Sequence, residues 1–292
     1  MNNVVSLSNS YQIRNPDSSV FFDTWKRPAY FTGRDPNAYY LDRDHSHIVR
    51  MQDDGPRSLG IVGSKYTPVS FKDVVTACEQ GFKAAGADMD ACVVKDDCVG
   101  AGEKVLRQYV WQNRSFEADT VSKINFRTII MKGNDGSGSI RILFGAIDAF
   151  CTNGMIIGDY DLIARRHTGE FAPKLEYFKE RLETGWKIFN DLPADIYRMR
   201  NQVLDIDQVR EILKRMNTSD RFIELIALRW HQENMARGYR SQGNLWTLYS
   251  ALTWWATHYQ VRQTGSGRDE MVRLQRSRDA HVLVMQQLKV AA

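Results

Sequence analysis

The chain has few cysteines, and their spacing does not suggest a bound metal. None of the four forms a Cys-x-x-Cys pair, so we do not expect a zinc site of the common type. The chain opens with a polar stretch, so we expect no signal peptide and interpret the thiols as free in a reducing cytoplasm. No apolar run approaches ~20 residues, so we expect no transmembrane helix and no membrane partner.

Motifs of the common enzyme classes are also missing. There is no Gly-x-x-x-x-Gly-Lys-[Ser/Thr] loop, no His-Glu-x-x-His and no Gly-x-Ser-x-Gly. His45 and His47 could supply two metal ligands, but no third ligand is apparent nearby. Cys151, with His167 as its base, is an alternative enzymatic site, although a cysteine in a β-rich apolar run is more often a small buried side chain. We therefore predict a protein that is not an enzyme and needs no cofactor and no metal.

Charge of one sign is not in large excess. The 39 Lys and Arg against 35 Asp and Glu give a net charge of +4, which neither requires nor excludes nucleic acid. Positive charge is concentrated locally, because residues 262–278 hold five arginines against Asp269 and Glu270. We interpret this stretch as a solvated helix face whose partner acids lie elsewhere.

The hydrophobic pattern changes midway along the chain. Two β-rich runs flank the glycine-rich residues 133–138, which predicts an antiparallel hairpin. Ser70 is a candidate N-cap for a helix that ends near Gly86. After Tyr160 apolar residues recur at helical spacing. We predict an α+β fold, in which an antiparallel β-hairpin sheet packs against helices and the C-terminal half is helical.

Three regions follow from this pattern. We interpret residues 1–54 as an N-terminal arm, residues 55–260 as an α+β core domain and residues 261–292 as a basic C-terminal helix or tail. The aromatic side chains of the arm pack either on the domain itself or on a neighbouring subunit; they are Trp25, Tyr30, Phe31, Tyr39 and Tyr40. Those of the last core helix are expected to be core residues; they are Trp246, Tyr249, Trp254, Trp255 and Tyr259.

One face of the predicted hairpin begins with basic side chains. Because side chains alternate along a strand, Lys123 and Arg127 share a face that becomes apolar at Ile129. An antiparallel sheet with one solvated side is one interpretation, and a sheet that faces nucleic acid is the other. Farther along, Arg165 and Arg166 form a dense cationic group that either pairs with nearby acids or binds phosphate.

Several short motifs together resemble a known family. They are Leu59–Ser70, Lys132–Ile142, Phe150–Met155, His167–Gly169 and Asn244–Tyr259. Over roughly residues 55–260 the chain resembles the phage/plasmid-like family called domain of unknown function 932. The resemblance implies a protein of the bacterial host cytoplasm with no assigned activity. That family's layout looks distantly similar to the Rad52-like single-strand annealing proteins, which bind single-stranded DNA in a basic groove and form rings or filaments.

We therefore expect a phage-type single-stranded DNA-binding protein, a mediator of DNA recombination or strand annealing, that acts as a homo-oligomer. Basic side chains would follow the phosphates while aromatic or apolar ones meet the bases. The predicted nucleic-acid-binding residues are Lys123, Arg127, Lys132, Arg141, Arg165 and Arg166, with Lys65 and Tyr66 as lesser candidates. The alternative is a non-enzymatic phage interaction protein, either an assembly component or a polymerase modulator, which the N-terminal aromatics and the modest net charge favour.

Overall fold

The computed structural model describes residues 20–136 except 33 and 36, residues 140–149 and 154–156, residues 175–259 except 217, 240 and 241, and residues 268–290. Antiparallel strands dominate the first half of these residues and helices the second. The predicted α+β class is therefore confirmed. Cys151, Arg165, Arg166 and His167 lie outside the described residues.

A three-stranded antiparallel sheet opens the described chain. Its strands, in spatial order, are β1 (Trp25–Thr32), β2 (Tyr39–Gln52) and β3 (Gly55–Gly63). β1 is an edge strand, where Pro28 is tolerated because an outer strand can lack one amide donor. Most of the described part of the region interpreted as an arm thus forms two strands of a sheet, and the sheet continues past residue 54 into the predicted core domain.

The central sheet has five antiparallel strands in the order of the chain. They are β4 (Cys92–Val99), β5 (Lys104–Glu117), β6 (Lys123–Gly133), β7 (Arg141–Asp148) and β8 (Gly154–Ile156). The predicted hairpin is β6 with β7, in which Ile124 lies opposite Asp148 and Met131 opposite Arg141. Gly136 after β6 has a φ of 79°, a left-handed conformation that favours glycine.

Helices follow β3 and fill the second half of the chain. They are α1 (Phe71–Ala84), α2 (Leu175–Asn201), α3 (Ile206–Lys214), α4 (Asp220–Ala236), α5 (Leu245–His258) and α6 (Arg268–Val290), and the two-residue strands β9 (Val203–Leu204) and β10 (Gly243–Asn244) pair with each other. The side chains of Asp205 and Ser219 accept hydrogen bonds from the first turns of α3 and α4, as helix caps do. Ser70 occupies the cap position of α1 without a side-chain hydrogen bond.

Both faces of the central sheet carry buried apolar side chains. Phe126 and Phe144 belong to the main core, together with residues of α1, α2 and α5. On the other face Ile129 and Leu143 form a second, smaller core that includes Leu274 of α6. The expectation of an open side on this hairpin is therefore wrong for its centre, because a helix distant in sequence packs there.

The end of the β6–β7 hairpin lies against β3 and connects the two sheets. A Cβ added to Gly60 would lie 2.4 Å from the Asp135 carbonyl oxygen, and one added to Gly136 would lie 2.6 Å from Val62 Cγ1. Only glycine permits backbones to approach this closely. Among the helices that the structure describes, none has a segment long and apolar enough to span a bilayer.

Candidate nucleic-acid interface

Of the predicted cations that the structure describes, three reach the surface, but they do not lie together. Lys65 is exposed in the turn after β3, Lys123 is exposed at the start of β6, and Arg141 is half-buried at the start of β7. Arg141 pairs with Met131, eight residues beyond Lys123, so about 26 Å of strand separates the two cations. They cannot form one compact phosphate site.

Arg127 is buried and does not lie on an open face. Only 5% of it is exposed; its Nη1 donates to Gln108 Oε1 at 3.4 Å and its Nη2 to the Met155 carbonyl at 3.2 Å. No Asp or Glu among the described residues forms an ion pair with it. The expectation that this guanidinium is open to phosphate is therefore wrong, because neighbouring strands and glycine backbones enclose it.

Lys132 is also buried, on the opposite face of β6. Only 2% of it is exposed, and its Nζ donates to Asn134 Oδ1, whose Nδ2 donates to the Gly102 carbonyl at 2.8 Å. Burial lowers the pKa of Lys132 to about 7, so much of the amine is neutral near neutral pH. The prediction that Lys132 is a charged and accessible phosphate contact is therefore also wrong.

Tyr66 serves as an anchor between the sheets. Its half-buried ring packs on the small apolar cluster that includes Leu59 and Val62. Burial, together with the negative charge of Asp135, raises the pKa of Tyr66 to about 12. Lys26 Nζ donates to the Tyr66 carbonyl at 3.1 Å. Tyr66 therefore offers little ring surface to a base, whereas its neighbour Lys65 remains accessible.

A basic cluster lies where β8 meets α5 and α6, and we name this place the β8 junction. The sequence patterns did not identify it. Gly154 is at its centre, since its amide donates to Thr257 Oγ1 at 3.0 Å and its carbonyl accepts from Ser277 Oγ at 3.2 Å. The Arg127 guanidinium approaches Gly154 so closely that a Cβ there would lie 2.7 Å from Nη1. Arg127 and Ser277 of α6 thus both lie against Gly154.

Two arginines of α6 form the outer part of the β8 junction. The Arg276 guanidinium lies over the Trp255 ring, 4.6 Å from its centroid, and its Nη1 donates to the Tyr259 carbonyl at 3.2 Å. Burial and the positive charge of Arg273 lower the pKa of Arg276. The described part of the chain places no carboxylate in an ion pair with Arg276. Two cations this close raise the positive potential of the surface, which favours a bound anion.

Aromatic side chains flank these arginines. Trp254 and Trp255 are half-buried at the end of α5, and Tyr259 is 37% exposed. The Arg229 guanidinium lies over the Trp254 ring at 4.7 Å. The expectation of core packing is confirmed for Trp246 and Tyr249, which are buried, and in part for Trp255, which packs against the main core while its residue stays half-buried. It is wrong for Tyr259, which is 37% exposed. Arginine beside partly exposed aromatic rings is the combination that binds phosphates and unstacked bases.

The structure brings no third metal ligand to the histidine pair of β2. His45 Nδ1 contacts Asp42 Oδ2 at 2.9 Å, and His47 Nδ1 contacts Ser58 Oγ at 2.9 Å. In the part of the chain that the structure describes, no three His, Cys, Asp or Glu side chains could hold one metal ion together. The described histidines thus show no metal centre.

A group of exposed apolar side chains occurs at the end of the β1–β2 hairpin. It comprises Tyr30, Phe31, Tyr39, Tyr40 and Leu41, which we name the aromatic tip, and each member is between 51% and 72% exposed. The Phe31 and Tyr40 rings stack on each other, 5.8 Å apart. These side chains therefore do not pack into the domain, which was one of the two expectations for them.

Comparison with known proteins gives one match. The model of a family described as domain of unknown function (DUF932) matches residues 58–279. No curated protein and no solved structure matches the chain. The match covers the β8 junction and begins after the aromatic tip.

Proposed function

The chain belongs to the family described as domain of unknown function 932, and from that premise we propose that it binds single-stranded DNA as a phage-type mediator of recombination or strand annealing. The β8 junction carries this proposal, because it combines Arg273 and Arg276 with partly exposed aromatic rings. The similarity in layout to Rad52-like annealing proteins, which we expect from the sequence, is part of the same proposal. In this proposal the protein works without a cofactor and as a homo-oligomer.

The chemistry of the β8 junction suits an unpaired strand better than a duplex. A phosphate would lie between the Arg273 and Arg276 guanidiniums, where it would relieve the repulsion between them. The accessible parts of Trp255 and Tyr259 would stack on bases, whose faces are free only in a single strand. Arg127 would strengthen binding without touching the strand. A buried cation without a described counter-ion adds positive potential to the surface above it.

The other predicted cations have different positions relative to this site. Lys123 lies at the same end of the sheet, because Gly154 pairs with Ile147 and Ile147 with Asn125. We therefore propose Lys123 as the next phosphate contact along the strand. Lys65 and Arg141 lie toward the opposite end and would be outer contacts. Arg165 and Arg166 remain in the proposed set from the sequence pattern alone.

The test is a double substitution at the junction, Arg273→Gln/Arg276→Gln. Binding of a fluorescent single-stranded oligonucleotide is measured across a salt series, with duplex as competitor. We expect weaker binding and a slope of log K against log salt that is smaller by about two units, one for each lost phosphate contact.

The matched control is Arg198→Gln/Arg210→Gln, which removes the same net charge from two exposed arginines that already pair with Asp195 and Glu224. Its salt slope should stay within about half a unit of the wild-type value. Equal losses of affinity in both double variants would mean that net charge alone explains the effect. No binding by the wild-type protein at low salt would remove the proposal and favour the alternative of a non-enzymatic interaction protein.

A further inference from the structure

We propose that the aromatic tip is the surface through which two copies of this chain associate. The tip lies before residue 58, outside the matched family region, and on different elements from the β8 junction. The inference therefore does not rest on DNA binding. In the expected homo-oligomer, the tip of one copy would contact the identical tip of another.

The tip carries exposed apolar side chains on both faces of the hairpin, because Tyr30 pairs with Leu41 and Phe31 with Tyr40. Its four aromatic side chains are between 52% and 72% exposed, which amounts to roughly 500 Å² at 150–250 Å² for each buried aromatic residue. A stable interface of standard size needs about 800 Å² from each partner. A contact along the β1 edge would draw on both faces of the hairpin, and the tip then supplies more than half of that area.

The charges around the tip favour a copy of the chain over a polyanion. The cations and the acids between residues 27 and 45 are equal in number; they are Arg27, Arg34 and Arg43 against Asp35, Asp42 and Asp44. A nucleic-acid strand would meet as many negative charges as positive ones. A two-fold axis through the tip would instead place the arginines of one copy near the aspartates of the other, since each patch in such a contact meets itself reversed.

The edge of the sheet is also open at this place. β1 pairs with β2 and, in the part of the chain that the structure describes, with no other strand. Ala29 is buried, and after it residues 30–32 present an exposed edge beside the rings. An antiparallel copy of β1 could therefore add backbone hydrogen bonds to the aromatic contact.

The first experiment measures mass in solution without DNA, by light scattering after gel filtration across the micromolar range. We expect the wild-type protein to be dimeric at the upper concentrations and Phe31→Thr/Tyr40→Thr to be monomeric, with its dissociation constant raised at least tenfold. Threonine suits a strand, so the hairpin should persist. The control is Met51→Thr, a 58% exposed residue at the far end of β2, which should leave the dimer intact.

The second experiment uses charge and does not depend on the aromatic variant. Arg43→Asp gives a more acidic tip and Asp44→Arg a more basic one, and both side chains are exposed. Each variant alone should dimerise more weakly than the wild-type protein, because identical tips then repel. An equimolar mixture should recover dimer, now as the mixed species, which mass spectrometry of the intact complex identifies.

Three results would overturn the inference. They are a wild-type protein that stays monomeric at all concentrations, a Phe31→Thr/Tyr40→Thr variant that assembles as the wild-type protein does, and a mixture of charge variants that recovers no dimer. If the aromatic variant keeps its assembly but loses oligonucleotide binding, the tip is a nucleic-acid surface and the inference is wrong. Failure of DNA binding at the β8 junction would leave the mass measurements unchanged.

Discussion

At the scale of the residue, Lys132 and Arg127 show how far burial changes what a basic side chain can do. Both are basic residues on β6, and both are almost inaccessible to solvent. Burial is the only cause of the lowered pKa of Lys132, and Arg127 has amide and carbonyl partners in place of a carboxylate. A single sequence shows that a residue is basic, but not which parts of the folded chain enclose it.

Lys132 should make stability depend on pH. Its folded-state pKa of about 7 lies below the ordinary value of 10.5, so between these values the unfolded chain binds more protons. Stability should therefore rise with pH above about 7, by up to about 1.4 kcal/mol per pH unit. Urea unfolding at pH 7 and pH 9 should show this increment in the wild-type protein and not in Lys132→Met. The exposed Lys65→Met is the control, and an increment that survives in Lys132→Met contradicts the prediction.

At the scale of the element, glycines decide how closely the strands approach one another. The hairpin of β6 and β7 was predicted because its glycine-rich turn is a local signal. Its contact with β3 could not be predicted, since it depends on Gly60 and Asp135, which are distant in sequence. The β8 junction was missed for the same reason. The arginine-rich stretch and the aromatic helix were both recognised, but only the packing of α5 against α6 brings Arg276 over Trp255.

Gly60→Ala should separate the two sheets. Its Cβ would collide with the backbone of Asp135, 2.4 Å away, and backbone atoms cannot move aside as a side-chain end can. We expect a loss of about 2–4 kcal/mol in the free energy of unfolding. Gly63→Ala, on the same strand with no atom within 4 Å of its Cβ, should change stability little. The free energies of unfolding of both variants are measured in urea. Equal values would contradict the prediction, because the contact would then tolerate a methyl group.

At the scale of the whole molecule, a buried ionic network joins the helical half to the central sheet. Arg237 after α4 donates to Asp119 Oδ2 at 2.9 Å and also pairs with Glu233. Trp246 of α5 donates to the same Asp119 oxygen at 2.6 Å. Burial alone would raise the pKa of Asp119, but the bonds from Trp246 and Arg237 lower it. The turn before β6 is thereby fixed to two helices, a long-range connection that no local pattern could predict.

Arg237→Met should be among the most destabilising single substitutions in the chain. It would leave the carboxylates of Asp119 and Glu233 buried without this cation, and breaking such a pair costs about 3–5 kcal/mol. Thermal unfolding should show a large fall in Tm, while Arg210→Met, which breaks an exposed pair with Glu224, should leave Tm almost unchanged. Similar Tm values for both variants would show that the buried network contributes little.

Pro28 in β1 limits how far chains can assemble edge to edge through this strand. An exposed edge strand is a template on which further chains can stack without end, as in fibrils. Pro28 removes one amide donor from the middle of that edge and Ala29 is buried, so a continuous ladder can extend over only residues 30–32. We therefore expect the folded chain to resist strand-by-strand polymerisation through β1, even at high concentration.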